Sequence, residues 1–243
     1  MTSIDLSVIT PAHNEEQYLD KCIRSVKAAA QNVSAHVEHL VVLNRCTDRT
    51  EEIAVSGGCR VVHEDARNLS RIRNAGVAAA RGNIIVTIDA DSWMSANMLS
   101  EVIRSLDSGR FIGGGVRLSL ERWSLGILCS CLMILPFVLR HLVSAGMFWC
   151  YKRDFDAIAG FDESLVCAED VDFAVRLKKL GRATSRRYGT IWKGYMTTSC
   201  RKFDQYGDWF LVRNPRLVYD IFHQSQKTAD RLYYDQRGDG ETR

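Results

Sequence analysis

Ile84-Ile85-Val86-Thr87-Ile88-Asp89-Ala90-Asp91-Ser92 is the stretch on which the reading of the chain turns. The five apolar or β-branched residues Ile84 to Ile88 suit a strand buried on both faces. The run stops at two aspartates with only Ala90 between them. A buried strand that delivers two carboxylates to the edge of a core must pair them, protonate them or give them to a metal. Mg2+ and Mn2+ take such hard oxygen ligands and keep part of their shell for substrate phosphates. One reading is therefore a metal–diphosphate site at the carboxyl end of a parallel strand. The other is a solvated strand-to-loop turn, where Asp and Ser are common. Asp-x-Asp alone does not separate the two.

Upstream, strands and helices alternate. Leu6–Thr10 reads as a strand that Pro11 should end, because proline cannot donate to a ladder. A helix follows through about Ala30, with Leu19, Ile23 and Val26 at helical spacing. Asn14 is placed as its N-cap, with Glu15 and Glu16 in the first turn. Val37–Leu43 is a second strand. It runs into Asn44–Thr50, where Thr47 or Asp48 caps another helix. Arg60–His63 is a short strand, and Asn68–Ala80 a helix stopped by Gly82. This order predicts βαβ units and a parallel sheet. No GxGxxG follows the first strand and no GxxxxGKS/T occurs, which argues against a dinucleotide oxidoreductase and a P-loop ATPase.

Downstream, Asn97–Leu106 is predicted helical and Phe111–Leu120 a strand around three glycines. Trp123–Trp149 is the most apolar part, with 17 uncharged residues between Arg122 and Arg140. That length is at the lower limit for a membrane span, and Pro136 interrupts it. A helix lying in the membrane surface and a buried or dimer-forming helix are the two readings kept. Met147–Tyr151 reads as a strand. Ala168–Gly181 reads as an amphipathic helix ending at Gly181, with Glu169, Asp170 and Asp172 at its start. Those acids either compensate the helix dipole or place a carboxylate base in a cleft. In Thr198–Phe203, Arg201 and Lys202 beside hydroxyls suit a phosphate contact. Trp209–Phe222 is aromatic and helical in pattern, broken at Pro215.

The chain of 243 residues, 46% hydrophobic and 25% charged with a net charge of +3, is ordinary for a globular domain and gives no reason to expect nucleic acid. Eight scattered cysteines form no CxxC pair, so no zinc or thioredoxin-like site is indicated. The first residues lack the basic and apolar regions of a signal peptide. We therefore expect a cytoplasmic protein with reduced thiols.

Four stretches in order resemble family 2 glycosyltransferases with the GT-A fold. They are Ser7–Glu16, Asn44–Thr50, Arg73–Gly76 with Ala80–Gly82 and Asp89-Ala90-Asp91, and Gly160–Glu163 with Glu169–Asp172 and Arg176–Gly181. The resemblance implies an α/β fold with a Rossmann-like, mostly parallel central sheet flanked by helices, and an apolar helical segment on the acceptor side. It implies one domain over 1–243, with a nucleotide-sugar half (1–115), an acceptor half (116–235) and a flexible tail (236–243). The implied activity is inverting transfer of a sugar from a nucleoside diphosphate donor, UDP favoured, with Mn2+ or Mg2+. Carried over residue by residue, Pro11, Ala12, Asn14, Glu15, Asn44 and Asp48 would line the nucleoside pocket and Arg73 would contact the nucleotide. Asp89 and Ala90 would face the donor, Asp91 together with Asp89 would hold the metal, and Asp170, with Glu169 beside it, would be the general base. Arg201 would contact phosphate. His13 stands where the family often has an aromatic residue, and Leu43-Asn44 where it commonly has Asp-Asp or Asp-Asn. The apolar segment 123–149 suggests a lipid-linked acceptor and contact with the inner face of the membrane, or a homodimer. The competing functions are a non-catalytic nucleotide-sugar-binding scaffold and a sugar nucleotidyltransferase; the latter lacks a Gly-rich triphosphate loop here.

Overall fold

A computed structural model describes residues 4–141, 144, 146–165 and 169–215. Its first part alternates as expected: β1 (Leu6–Ala12), α1 (Leu19–Ala30), β2 (Val37–Leu43), α2 (Thr50–Ser56), β3 (Arg60–His63), α3 (Leu69–Ala79) and β4 (Ile84–Thr87). Then come β5 (Ser92–Met94), α4 (Met98–Asp107), β6 (Phe111–Leu120), α5 (Leu125–His141), β7 (Phe148–Tyr151) and α6 (Lys152–Ala157). Finally α7 (Glu169–Ala183), β8 (Arg187–Thr198), α8 (Arg201–Tyr206) and α9 (Phe210–Arg213) follow.

The eight strands of the described residues form one sheet in the order β3-β2-β1-β4-β7-β6-β8-β5. The pairs β1–β2, β1–β4, β2–β3 and β6–β8 are parallel, while β7 runs against both β4 and β6, and β5 against β8. The sheet is thus mixed, and strands from both halves of the chain share it. Side chains alternate between its faces, as a strand requires. Leu6, Val8, Ile84, Val86 and Trp149 pack on one face against Val26 of α1 and Met98, Leu99 and Val102 of α4. Ile9, Ile85, Phe148 and Cys150 pack on the other against Ile72 and Val77 of α3 and Phe173 and Leu177 of α7. There Phe161 and Phe173 stack at 4.3 Å, with Phe148 edge-on at 5.1 Å from Phe173.

Several boundaries differ from the sequence reading. Pro11 does not end β1, which runs on to Ala12. Ala12 O accepts from Asn44 N and Ile9 O from Ile88 N, so even positions face β2 and odd ones face β4. The β4 pairing stops at Ile9–Thr87. Pro11 therefore turns its missing N–H to a side where the ladder has already ended. Asn14 does not cap α1, which starts at Leu19 with no side-chain cap. Gly82 does not stop α3, which ends at Ala79. It crosses close to β1 instead, where a Cβ would lie 2.7 Å from the Leu6 and Ser7 backbone. Gly181 lies inside α7, against Ile112, and the helix continues to Ala183. No helix among the described residues is long and apolar enough to cross a membrane. The part of the Trp209–Phe222 expectation beyond residue 215, and the 236–243 tail, lie outside the described residues.

Candidate active site

The cleft forms where β1, β2, β4, β6 and β8 end, at the carboxyl edge of the parallel strands. It is lined by Pro11, Ala12, His13 and Glu15 after β1, Asn44 after β2, Asp89, Ala90 and Asp91 after β4, and Glu169 of α7. Leu120, Thr198 and Ser199 and then Arg201, Lys202 and Phe203 of α8 close it on the other side. Arg67, Asn68, Leu69 and Ile72 complete the wall. These last four were not expected from the sequence; the cap at Asn68, whose Oδ1 accepts from Arg71 N at 2.8 Å, was the signal that this helix end is held in place.

Asn14 and Asp48 lie in an adjoining cavity with Glu16, Tyr18 and Arg201 rather than in this lining. Asn14 adopts φ +50°, a left-handed conformation that asparagine tolerates, and its Oδ1 accepts from Thr47 N at 2.8 Å. Asp48 Oδ1 accepts from Thr50 N at 3.0 Å, and its Oδ2 from Glu16 N at 3.0 Å. Partial burial works against its charge, but these bonds hold its pKa below the usual carboxylate value. Glu16 accepts from Arg49 N at 3.2 Å. The two glutamates therefore do not serve the α1 dipole. Glu16 ties the β1 loop to the start of α2, and Glu15 reaches Arg201 Nη1 at 2.6 Å.

Arg73 lies beneath the cleft rather than in its lining. It is 4% exposed and spans two elements: Nη2 donates to Asp89 Oδ1 at 2.9 Å and Nη1 to Glu169 Oε1 at 2.7 Å. Burial alone would disfavour its charge; Asp89 and Glu169 raise its pKa and keep it protonated. One guanidinium thus joins the end of β4 to the start of α7. The next residue, Asp170, has its pKa pushed up to about 6, first by burial and then by the Glu169 charge, with Arg73 opposing.

On the other side, Arg201 Nη2 lies 3.0 Å from Asp91 Oδ2, and Ser199 Oγ lies 3.3 Å from the same oxygen. Asp89 and Asp91 are hard oxygen donors at one strand end. Among the described residues no group of three or more His, Cys, Asp or Glu side chains converges on a metal position. Such a donor set fits an ion that takes one or two carboxylates from protein and the rest of its shell from phosphates and water. Asn44 Nδ2 donates to Glu64 O at 2.6 Å and Ala66 O at 2.8 Å, which fixes the amide with its oxygen as the only acceptor.

The mixed sheet with its cleft at the strand ends is a GT-A fold. The profile of glycosyl transferase family 2 matches residues 7–131, more than half of the chain, and the chain belongs to that family. The low-salt glycan biosynthesis hexosyltransferase Agl6 of Haloferax volcanii is 34% identical over 104 residues, which are 43% of this chain and 25% of Agl6. The chain therefore spans about a quarter of that relative's length. Residues 1–349 of S. aureus TarS, solved in complex with UDP-GlcNAc, superimpose with a TM-score of 0.61 at 17% identity over 80% of this chain and 59% of that fragment. Glucosyl-3-phosphoglycerate synthase of Mycobacterium tuberculosis, solved with Mn2+, UDP and phosphoglyceric acid, gives 0.60 at 18% identity over 90% of this chain and 78% of its own.

Proposed function

We propose that the chain transfers a sugar, with inversion, from a nucleoside-diphosphate sugar to an acceptor hydroxyl, assisted by a divalent metal. The observation that carries this is the Asp89–Arg73–Glu169 bridge, which sets the donor-side carboxylate and the base-side helix against one buried cation. The donor would lie along the β1, β2 and β4 ends. Uridine is favoured because TarS and the synthase were solved with UDP-GlcNAc and UDP. In this chain the buried Asn44 Oδ1, with no hydrogen-bond partner among the described residues, is the acceptor that a base imide N–H would use.

Asp91 and Asp89 would hold Mn2+ or Mg2+, which when bound supplies positive charge against the leaving diphosphate. Arg201 is placed to share that charge. Asp170 would take the proton from the acceptor hydroxyl as its oxygen bonds to the anomeric carbon. The bond from that carbon to the diphosphate oxygen breaks on the opposite face and its electron pair leaves with the phosphate. Arg73 would act from below, holding Asp89 and Glu169 in register.

The acceptor side is formed by the later half of the chain. Leu125, Leu128, Leu132 and Leu135 of α5 stand exposed at a spacing that puts them on one helix face. We read this face as peripheral contact with a lipid surface, and hence a lipid-linked acceptor; a homodimer seam is the second reading.

Isothermal titration with UDP, GDP, dTDP and ADP, with and without Mn2+, tests the donor assignment. Metal-dependent binding of UDP alone is expected. Binding of none would remove the donor reading, and binding without turnover on any acceptor would favour the scaffold.

A further inference from the structure

Helix α8 has six residues and buries none of them, yet its first three line the cleft. Apart from the stack of Tyr206 on Phe210 at 4.5 Å, little apolar burial fixes it over the site, so polar ties carry weight. One tie lies inside the site: Arg201 reaches Glu15 at 2.6 Å and Asp91 at 3.0 Å. On the function proposed above, on which this inference rests, those carboxylates also serve the ligand. The inner tie is therefore weakest when the site is loaded.

The second tie lies outside the cleft. Arg122, in the turn between β6 and α5, donates from Nε and Nη2 to Asp204 Oδ1. It also donates from Nη1 to Asp208 Oδ2 at 3.1 Å and from Nη2 to Asp208 Oδ1 at 2.7 Å. Asp204 is in α8 and Asp208 follows it. The segments also approach closely here: the Cys200 thiol donates to Arg122 O at 3.6 Å, and a Cβ on Gly126 would lie 2.8 Å from the Asp208 carbonyl. A single exposed ion pair contributes little, but a planar guanidinium serving two carboxylates fixes direction as well as distance.

We propose that Arg122 is a positioning residue for donor binding: its fork to Asp204 and Asp208 keeps α8, and with it Arg201 and Lys202, over the cleft while ligand engages Glu15 and Asp91. Arg122 touches no substrate; it acts through α8. Two readouts test this on Arg122→Ala, Arg122→Lys and the double variant Asp204→Asn/Asp208→Asn. The first is amide hydrogen exchange in the ligand-free protein at Asp204 and Gly207, which donate to Cys200 O and Phe203 O. Exchange there should quicken about tenfold in Arg122→Ala and in the double variant, with the core strands unchanged. The second is UDP affinity in the presence of Mn2+. The dissociation constant should rise about tenfold in the same two variants and recover only in part in Arg122→Lys, which keeps one charge-assisted bond but loses the planar fork. Unchanged exchange would overturn the proposal. So would faster exchange with unchanged affinity, because α8 would then be tied but not positioned for the donor. If the wild type bound no nucleotide, the donor reading would fall by itself and the exchange comparison would still decide whether Arg122 holds α8.

Discussion

A carboxylate works as a base near neutral pH when something resists its ionisation, and at Asp170 two things do. Burial comes first and the Glu169 charge second, and together they bring its pKa to about 6. The base form is the ionised one, so kcat should rise with pH and reach half its plateau near the raised pKa, where an ordinary aspartate would already be flat. Glu169→Gln removes one of the two causes and should move that midpoint to lower pH. Asp170→Asn should cost about 10^2 to 10^4 in kcat while nucleotide affinity stays as in the wild type. A pH–rate profile of the three proteins checks both statements, and an Asp170→Asn enzyme with wild-type turnover would remove the base assignment. The candidate carboxylates could be picked out because each closes a recognisable local pattern. Their partners were not. Arg201 meets Glu15 across 186 residues and Arg73 meets Glu169 across 96, and nothing local records such pairs.

At the scale of the element, legibility followed periodicity and local punctuation. β3 and β6 stand where alternation and composition put them, while Asn68, read as the first helical residue, is the cap before α3. Signals that act through tertiary contact misled. Gly82 and Gly181 look like helix stops but mark close crossings, and the strand β8 went unread because Gly189, Lys193 and Gly194 break its alternation. Gly76, quoted for its motif, has a structural duty of the same kind. It sits on the face of α3 turned to β1 and β2, where an added Cβ would collide with Ile9 Cγ2 and lie 2.7 Å from Val42 Cγ2. Both neighbours are fully buried, so neither can move aside without disturbing the sheet. Gly76→Ala should therefore destabilise the fold by about 1–3 kcal/mol through overpacking, against the small gain alanine brings to a helix. Urea unfolding followed by circular dichroism measures it. A variant as stable as wild type would mean that α3 can shift on the sheet, and the Arg73 bridge would then be less fixed than its distances suggest.

Over the whole molecule, the sheet gathers the proposed donor residues on one edge, and the late half of the chain adds the apolar helix α5 beyond β6. Its Leu125, Leu128, Leu132 and Leu135 are 67%, 45%, 57% and 43% exposed, and Trp123 beside them is 60% exposed. An unbroken apolar stripe of that kind is unusual on a surface facing only water. The composition of the segment was plain in the sequence; which face would be left uncovered was not, because that depends on how α9 packs against it. If the stripe meets a lipid surface, wild-type protein should float with vesicles of mixed neutral and anionic phospholipid. Leu128→Asp/Leu132→Asp should then stay at the bottom of the gradient with its UDP affinity unchanged. Full burial of a leucine is worth about 1.5–3 kcal/mol, so two that are half exposed carry about 2 kcal/mol between them, roughly a thirtyfold loss of partitioning before the aspartate charges are counted. If the wild type does not float but elutes as a dimer that the same variant converts to monomer, the stripe is a subunit seam and the lipid-linked acceptor loses its support. If neither happens, α5 contributes only to the wall of the acceptor side, and the acceptor must be sought among molecules free in solution.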